Sequence, residues 1–85
     1  MGDLGPIQLA RLIQAYLDDQ RYMEAMVVAK KAIRDFPPAI RHRLLLADCY
    51  RRQGREKLAL ETVREVLKLV PAHAEAKRLL CELTR

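Results

Sequence analysis

Hydrophobic residues recur along this chain with the period of an α-helix. The first apolar side chains are spaced three and four residues apart, which places them on one face of a helix. After a polar turn at residues 18–21, a second set follows the same spacing. The first set is Leu9, Leu12, Ile13 and Tyr16, and the second is Ala25, Ala29, Ala32 and Phe36. Residues 6–36 are therefore expected to form a helical hairpin.

The same pattern returns 34 residues later. The overlay of residues 6–37 on residues 40–71 has five identities: Leu12/Leu46, Tyr16/Tyr50, Arg21/Arg55, Ala25/Ala59 and Pro37/Pro71. A third copy begins near Ala74 and covers one helix, in which Leu79 and Leu80 align with Leu45 and Leu46. A fixed period of this length indicates a stacked repeat architecture. The pattern thus predicts five helices.

Glycine, proline and alanine stand where such a hairpin needs them. Gly54 lies where the chain must reverse, and glycine tolerates the positive φ that these turns often require. Pro37 and Pro71 close the two units, because proline cannot continue a helix. Ala25 and Ala59 are predicted at the contact between the paired helices, where the backbones approach to about 8–10 Å.

These residues resemble the tetratricopeptide repeat, a 34-residue unit with the pattern W-x2-L-G-x2-Y, then A-x3-F, then P. LARLIQAY (9–16) and RLLLADCY (43–50) resemble its first helix, QGREKLAL resembles its turn, and PAHAEAKRLL resembles its junction to the next repeat. Departures are Ile13 in the Gly position, Arg43 in an apolar position and Pro38 as a second proline. We expect Ile13 to hold the first hairpin slightly apart and Arg43 to turn to solvent.

The resemblance implies an all-α fold, a right-handed α-solenoid of antiparallel helical hairpins. It divides a single domain, residues 1–85, into a repeat at 6–39, a repeat at 40–73 and a capping helix at 74–85. At least three repeats are usually needed for independent stability. The sequence is therefore either a compact minimal array or a piece of a longer one.

Positive charge is concentrated in the middle of the chain. The net charge is +5 at pH 7, and residues 37–71 carry eight basic and four acidic groups. This block, rich in arginine, forms either a solvated helix edge or a patch for an acidic partner or nucleic acid.

No arrangement typical of catalysis is present in the sequence. It has no Gly-rich phosphate loop and no nucleophile with a paired base. His42 and His73 are expected to be surface or capping residues. Cys49 and Cys81 lack CxxC or metal-ligand spacing, which favours buried packing over a disulfide or redox pair. We expect no enzymatic activity, no cofactor and no metal.

Hydropathy indicates the compartment. The longest apolar runs are far too short to cross a bilayer, which needs about 20 apolar residues. The sequence does not show a basic start followed by an apolar segment, the pattern that would suggest a signal peptide. A cytoplasmic protein without membrane contact is expected.

A stack of hairpins has a concave groove lined by the first helix of each pair. The resemblance implies that this groove holds an extended peptide or a partner helix. The candidate groove residues are Ile7, Ala10, Gln14 and Leu17, then Arg41, Leu44, Leu45, Asp48 and Arg52, then Glu75, Arg78, Leu79 and Glu82. Leu45 and Leu79 either contact an amphipathic partner helix with acidic flanks or complete the helix–helix core.

The residues argue against one subfamily. Tetratricopeptide co-chaperones grip the acidic C-terminal tails of heat-shock proteins with a clamp of Lys, Asn, Asn, Lys and Arg. The corresponding positions here are Ala10, Gln14, Leu45, Glu75 and Leu79. The charge of that clamp is absent and partly reversed, so this partner is not expected.

Three functions follow from the sequence. The favoured one is an adaptor, scaffold or chaperone-like module that binds a peptide or helix of another protein. A self-assembly module is the second, because the second helix carries a wide apolar surface at residues 22–29. Nucleic-acid binding through the central arginines is the least favoured, because few aromatics are present to stack on bases.

Overall fold

The computed structural model describes residues 4–85, so the first three residues of the expected 1–85 domain lie outside the described part. Five α-helices follow one another, and residues 4–85 contain no strand. The helices are α1 (Pro6–Asp18), α2 (Tyr22–Asp35), α3 (Ile40–Arg52), α4 (Glu56–Leu69) and α5 (Ala74–Leu83). The prediction of an all-α fold with five helices is confirmed.

The two hairpin turns close in the same way. In the first, the Arg21 N–H donates to the Tyr16 carbonyl at 2.8 Å, and in the second the Arg55 N–H donates to the Tyr50 carbonyl at 2.8 Å. This closure is a Schellman motif, in which the residue before the donor is left-handed. Gly54 is that residue in the second hairpin, with φ of 79°. Its predicted role in the reversal is confirmed.

The first hairpin has Gln20 where the second has glycine. Gln20 has φ of 61°, a conformation that costs a residue with a Cβ about 1–2 kcal/mol. Glycine removes this cost but loses more entropy on folding, so we expect Gln20→Gly to raise the unfolding free energy by about 0.5–1 kcal/mol. Urea denaturation would measure the change.

The matched control for that turn is Gly54→Ala. A Cβ at Gly54 would meet no atom within 4 Å, so any loss would come from the backbone conformation alone. We expect a loss of about 1 kcal/mol. A denaturation midpoint for Gln20→Gly at or below that of the unchanged protein would contradict the assignment of strain to the first turn.

The core joins consecutive hairpins and is built around small residues. Ala25, Ala29 and Ala32 form a fully buried stripe along α2. They belong to a cluster that also contains Ala59 of α4 and the apolar residues of α1 and α3. Burial of Ala25 and Ala59 agrees with their predicted place at the helix–helix contacts. Ile13 is also fully buried, in spite of its size.

A second cluster attaches the last helix. Leu44 and Ala47 of α3, Val63 and Val66 of α4, and Ala76 and Leu79 of α5 are its buried members. The molecule measures 44 × 26 × 16 Å, an elongated shape that fits hairpins stacked along one direction. This stacking places α1, α3 and α5 beside one another.

Candidate functional site

A depression of about 250 Å³ lies where α1, α3 and α5 meet. We call it the polar section of the groove. Its walls are formed by Gln14, Arg41, Leu44, Leu45, Asp48, Arg51, Glu75, Arg78, Leu79 and Glu82. The lining holds three arginines and three carboxylates, so its formal charges balance.

Several of these charges are already paired within the chain. Arg41 Nη1 lies 3.2 Å from Glu75 Oε2, which joins α3 to α5 across the groove. Asp48 accepts from Arg51 Nη2 at 2.8 Å and from Arg52 Nε at 3.1 Å. The pairs are half-exposed, so each stabilises the fold by only about 0–1 kcal/mol. Their main effect is to reduce the positive charge that this surface presents.

A second depression, the apolar section of the groove, adjoins the first. It has a volume of about 470 Å³ and shares Gln14 and Arg41 with the polar section. Its other lining residues are Pro6, Ile7, Ala10, Arg11, Ala39 and His42. The side chain of Ile7 is 66% exposed, which is unusual for isoleucine because burial would be favourable. The groove therefore combines an apolar end with a charged end.

Eleven of the thirteen candidate groove residues line these two sections. Their role in binding stays a prediction. Leu17 and Arg52 are the two candidates that do not line either section. Arg52 is exposed and pairs with Asp48, whereas Leu17 is fully buried in the core. The placement of Leu17 in the groove was wrong, because it follows Leu9 and Ile13 on the face of α1 that packs inward.

The groove leucines lie mostly beneath the surface. Leu44, Leu45 and Leu79 are 3%, 4% and 8% exposed, so their chief contribution is to the core. Only their edges reach the floor of the polar section. A partner in the groove would therefore meet the charged walls before it met these side chains.

Sequence reasoning missed five lining residues. Arg51 extends the helical series that contains Arg41, Leu44 and Asp48, so its spacing was a usable signal. Arg11 occupies the position that aligns with Leu45 of the next repeat. The other three residues, Pro6, Ala39 and His42, gave no such signal, because their place depends on how the start of α1 packs against α3.

His42 is the clearest correction. It was expected at the surface or at a cap, but it is 1% exposed. Its Nε2 lies 2.9 Å from the Pro6 carbonyl oxygen, which can only accept, so Nε2 carries the proton. Nδ1 has no hydrogen-bond partner within residues 4–85. The ring also lies 6.4 Å from that of Phe36. His42 thus packs α3 against the start of α1.

His73 behaves as a capping residue, as expected. Its side chain accepts a hydrogen bond from the Ala76 N–H at 3.3 Å, with Nδ1 as the acceptor. One orphan N–H at the start of α5 is satisfied in this way.

The two cysteines differ from each other. Cys49 is buried and donates from Sγ to the Tyr22 carbonyl at 3.1 Å, which agrees with a packing role. Burial raises the pKa of the Cys49 thiol, and the neighbouring Asp48 carboxylate raises it further. Cys81 is exposed, so its expected burial was wrong. Both thiols are free.

Arg43 also departs from its expected place. It is half-buried and donates through Nη1 to the Pro37 carbonyl, instead of turning freely to solvent. The guanidinium thereby ties α3 to the loop that precedes it. This contact accounts for an arginine at a position where an apolar residue is usual.

None of the helices described within residues 4–85 has the length and apolar character required to cross a membrane.

Hairpins that repeat at 34 residues and place their first helices along one groove define a helical repeat protein. The family model described as Tetratricopeptide repeat matches residues 9–83. The chain belongs to the tetratricopeptide repeat family. Comparison with curated proteins finds no match. Tetratricopeptide repeat domains generally mediate protein–protein interactions and are generally non-catalytic.

Proposed function

We propose that this protein is a non-catalytic adaptor, scaffold or chaperone-like module in the cytoplasm. It binds a peptide or an amphipathic helix of another protein in the groove along α1, α3 and α5. The observation that carries the proposal is the continuity of the two sections of the groove, which meet at Gln14 and Arg41. A segment that crosses this junction contacts apolar and charged walls in succession.

The apolar section supplies the anchor of the proposed interaction. Ile7 is 66% exposed, and Ala10 and Ala39 beside it are small and half-buried. An apolar side chain seated against these three removes surface from water on both partners, at about 25 cal/mol per Å². Anchors of this kind carry most of the energy in helix-in-groove complexes.

The polar section supports a partner of mixed charge. Arg41 and Arg51 are paired with Glu75 and Asp48, and the lining as a whole is balanced. Arg78 has no carboxylate within 4.0 Å among residues 4–85, which leaves one cation in the polar section for a carboxylate of the partner. This balance supports a single acidic contact over acidic flanks on both sides. It also weakens the nucleic-acid alternative, which needs an excess of free cations.

Selection of random peptides displayed on phage, followed by affinity measurements on purified variants, tests the proposal. We expect fluorescence anisotropy to show at least about tenfold weaker binding of the selected peptides by Ile7→Glu, because a carboxylate would replace the apolar anchor. Arg78→Glu should weaken the binding of peptides that contain a carboxylate and leave the binding of the other peptides unchanged. Both residues are exposed, so the fold should survive.

Lys57→Glu provides the control for a charge change outside the groove, because Lys57 is exposed on α4 and lines neither section. Its binding should equal that of the unchanged protein. Selected peptides that bind Ile7→Glu and Arg78→Glu as tightly as the unchanged protein would overturn the assignment of the groove.

A further inference from the structure

The N-terminal end of the stack exposes an apolar surface that the groove does not use. We call it the end face. It consists of Leu12, Ala15 and Tyr16 on α1 and Met23, Glu24, Val27 and Val28 on α2. Met23 and Val27 are 56% and 63% exposed, and Tyr16 lies with them around a shallow depression of about 370 Å³. Exposed apolar patches of this kind often mark interaction sites.

Comparison of equivalent positions in the two repeats indicates what kind of surface the end face could contact. Residues 34 positions after Leu12, Ala15 and Tyr16 are Leu46, Cys49 and Tyr50. All three are buried in the cluster that joins the two hairpins. Cys49 also donates a hydrogen bond to the Tyr22 carbonyl on α2. The same surface positions are thus an interface between helices in the second hairpin and uncovered in the first. An occupant of the end face should present an apolar helix surface.

The opposite end of the stack does not present such a surface. The exposed residues on α5 include Lys77 and Cys81, and the exposed Thr84 and Arg85 follow its last turn. Two lysine or arginine side chains in this position are poor partners for the valines of α2, because their desolvation would not be compensated. A head-to-tail contact between copies is therefore unfavourable. The end face is matched best by an identical end face.

The charged residues at the two edges of the end face also fit a contact between two identical end faces. Arg11 lies on the second turn of α1, and Glu24 lies on the first turn of α2, near the opposite end of α1. Neither residue has an ion-pair partner among residues 4–85. In two copies related by a two-fold axis that lies in the plane of the face and perpendicular to α1, the α1 helices run in opposite directions. Arg11 of each copy then approaches Glu24 of the other, twice per dimer.

We infer that two copies of this chain form a symmetric dimer through their end faces. The dimer buries Met23, Val27 and Val28 against their counterparts and pairs Arg11 with Glu24 across the interface. The concave groove lies on another side of α1 and meets the end face only at its edge, at Arg11, which also lines the apolar section, so a dimer of this kind presents two grooves. This assembly goes beyond the proposed groove function and does not depend on it.

Sedimentation velocity over a hundredfold range of concentration tests the inference. We expect the unchanged protein to shift from monomer to dimer and Val27→Glu to remain monomeric over the whole range. Leu69→Glu is the matched control, because Leu69 on α4 is 57% exposed but lies away from the end face. It should dimerise like the unchanged protein, and circular dichroism should show unchanged helicity for both variants.

A charge exchange identifies the surface more sharply. Arg11→Glu and Glu24→Arg should each raise the dimer dissociation constant by about tenfold, and the double variant should restore it. An unchanged protein that remains monomeric at every concentration would overturn the inference, and the end face would then belong to a different partner. A dimer that persists in Val27→Glu, or that Leu69→Glu disrupts, would overturn it as well.

Discussion

Leu17→Ala is expected to lower the free energy of unfolding by about 3–4 kcal/mol. Leu17 is fully buried among the residues that join the two hairpins. Its removal leaves a cavity that the alanine stripe of α2 cannot fill, because alanine has no rotamers with which to adjust. A domain of this size is stable by only about 4–13 kcal/mol. The substitution should therefore remove a large share of its stability.

Ile7→Ala is the matched comparison on the same helix. The sequence placed Ile7 and Leu17 together in the groove, but Ile7 is 66% exposed, so its truncation should cost less than about 0.5 kcal/mol. Urea denaturation of both variants, followed by circular dichroism, would measure the difference. Equal losses for the two variants would show that the burial of Leu17 does not stabilise the fold.

The burial of the groove leucines also changes which substitutions can test function. Leu45 is 4% exposed, so a glutamate there would place a charge in the core at a cost of several kcal/mol. Loss of binding in such a variant would report unfolding and would not identify the groove. Exposed residues such as Ile7 and Arg78 avoid this ambiguity.

The fold was predictable from the sequence because the information it needs is periodic. The spacing of apolar residues defines helices, and the 34-residue repeat defines which helices pair. Gly54 and the alanines of α2 and α4 mark the turns and close contacts directly by residue type. Each of these signals is local, so none depends on knowing how the hairpins stack.

The candidate site was less predictable, because its limits depend on stacking. Successive residues on a helix are 100° apart, so a groove residue and a core residue can be one position apart. In sequence, Leu17 and Leu45 resemble residues that face a partner, but in the structure both are buried in the cluster that joins the two hairpins. The apolar section is further formed by Pro6 and Ala39 at helix starts, where periodicity carries no information. Hydropathy alone cannot distinguish an apolar residue that lines the groove from one that lies in the core.

His42 shows the same limit for a polar residue, since no pattern distinguishes a buried histidine from an exposed one. His42 is 1% exposed, and both its ring packing and its bond to Pro6 could stabilise the contact between α3 and α1. The Pro6 carbonyl also lies in the first turn of α1, where the helix itself supplies a backbone N–H donor for it. Nδ1 has no partner among residues 4–85, which costs stability. We therefore assign the main contribution to the volume of the ring.

On this basis His42→Ala should lower the free energy of unfolding by about 2–3 kcal/mol, because it leaves a cavity next to Phe36. His42→Phe keeps the ring, loses the bond from Nε2 to Pro6 and removes the unpartnered Nδ1, so it should stay within about 1 kcal/mol of the unchanged protein. Urea denaturation of the two variants separates the two contributions. If His42→Phe were as unstable as His42→Ala, the hydrogen bond to Pro6 and not the ring volume would hold α3 against α1.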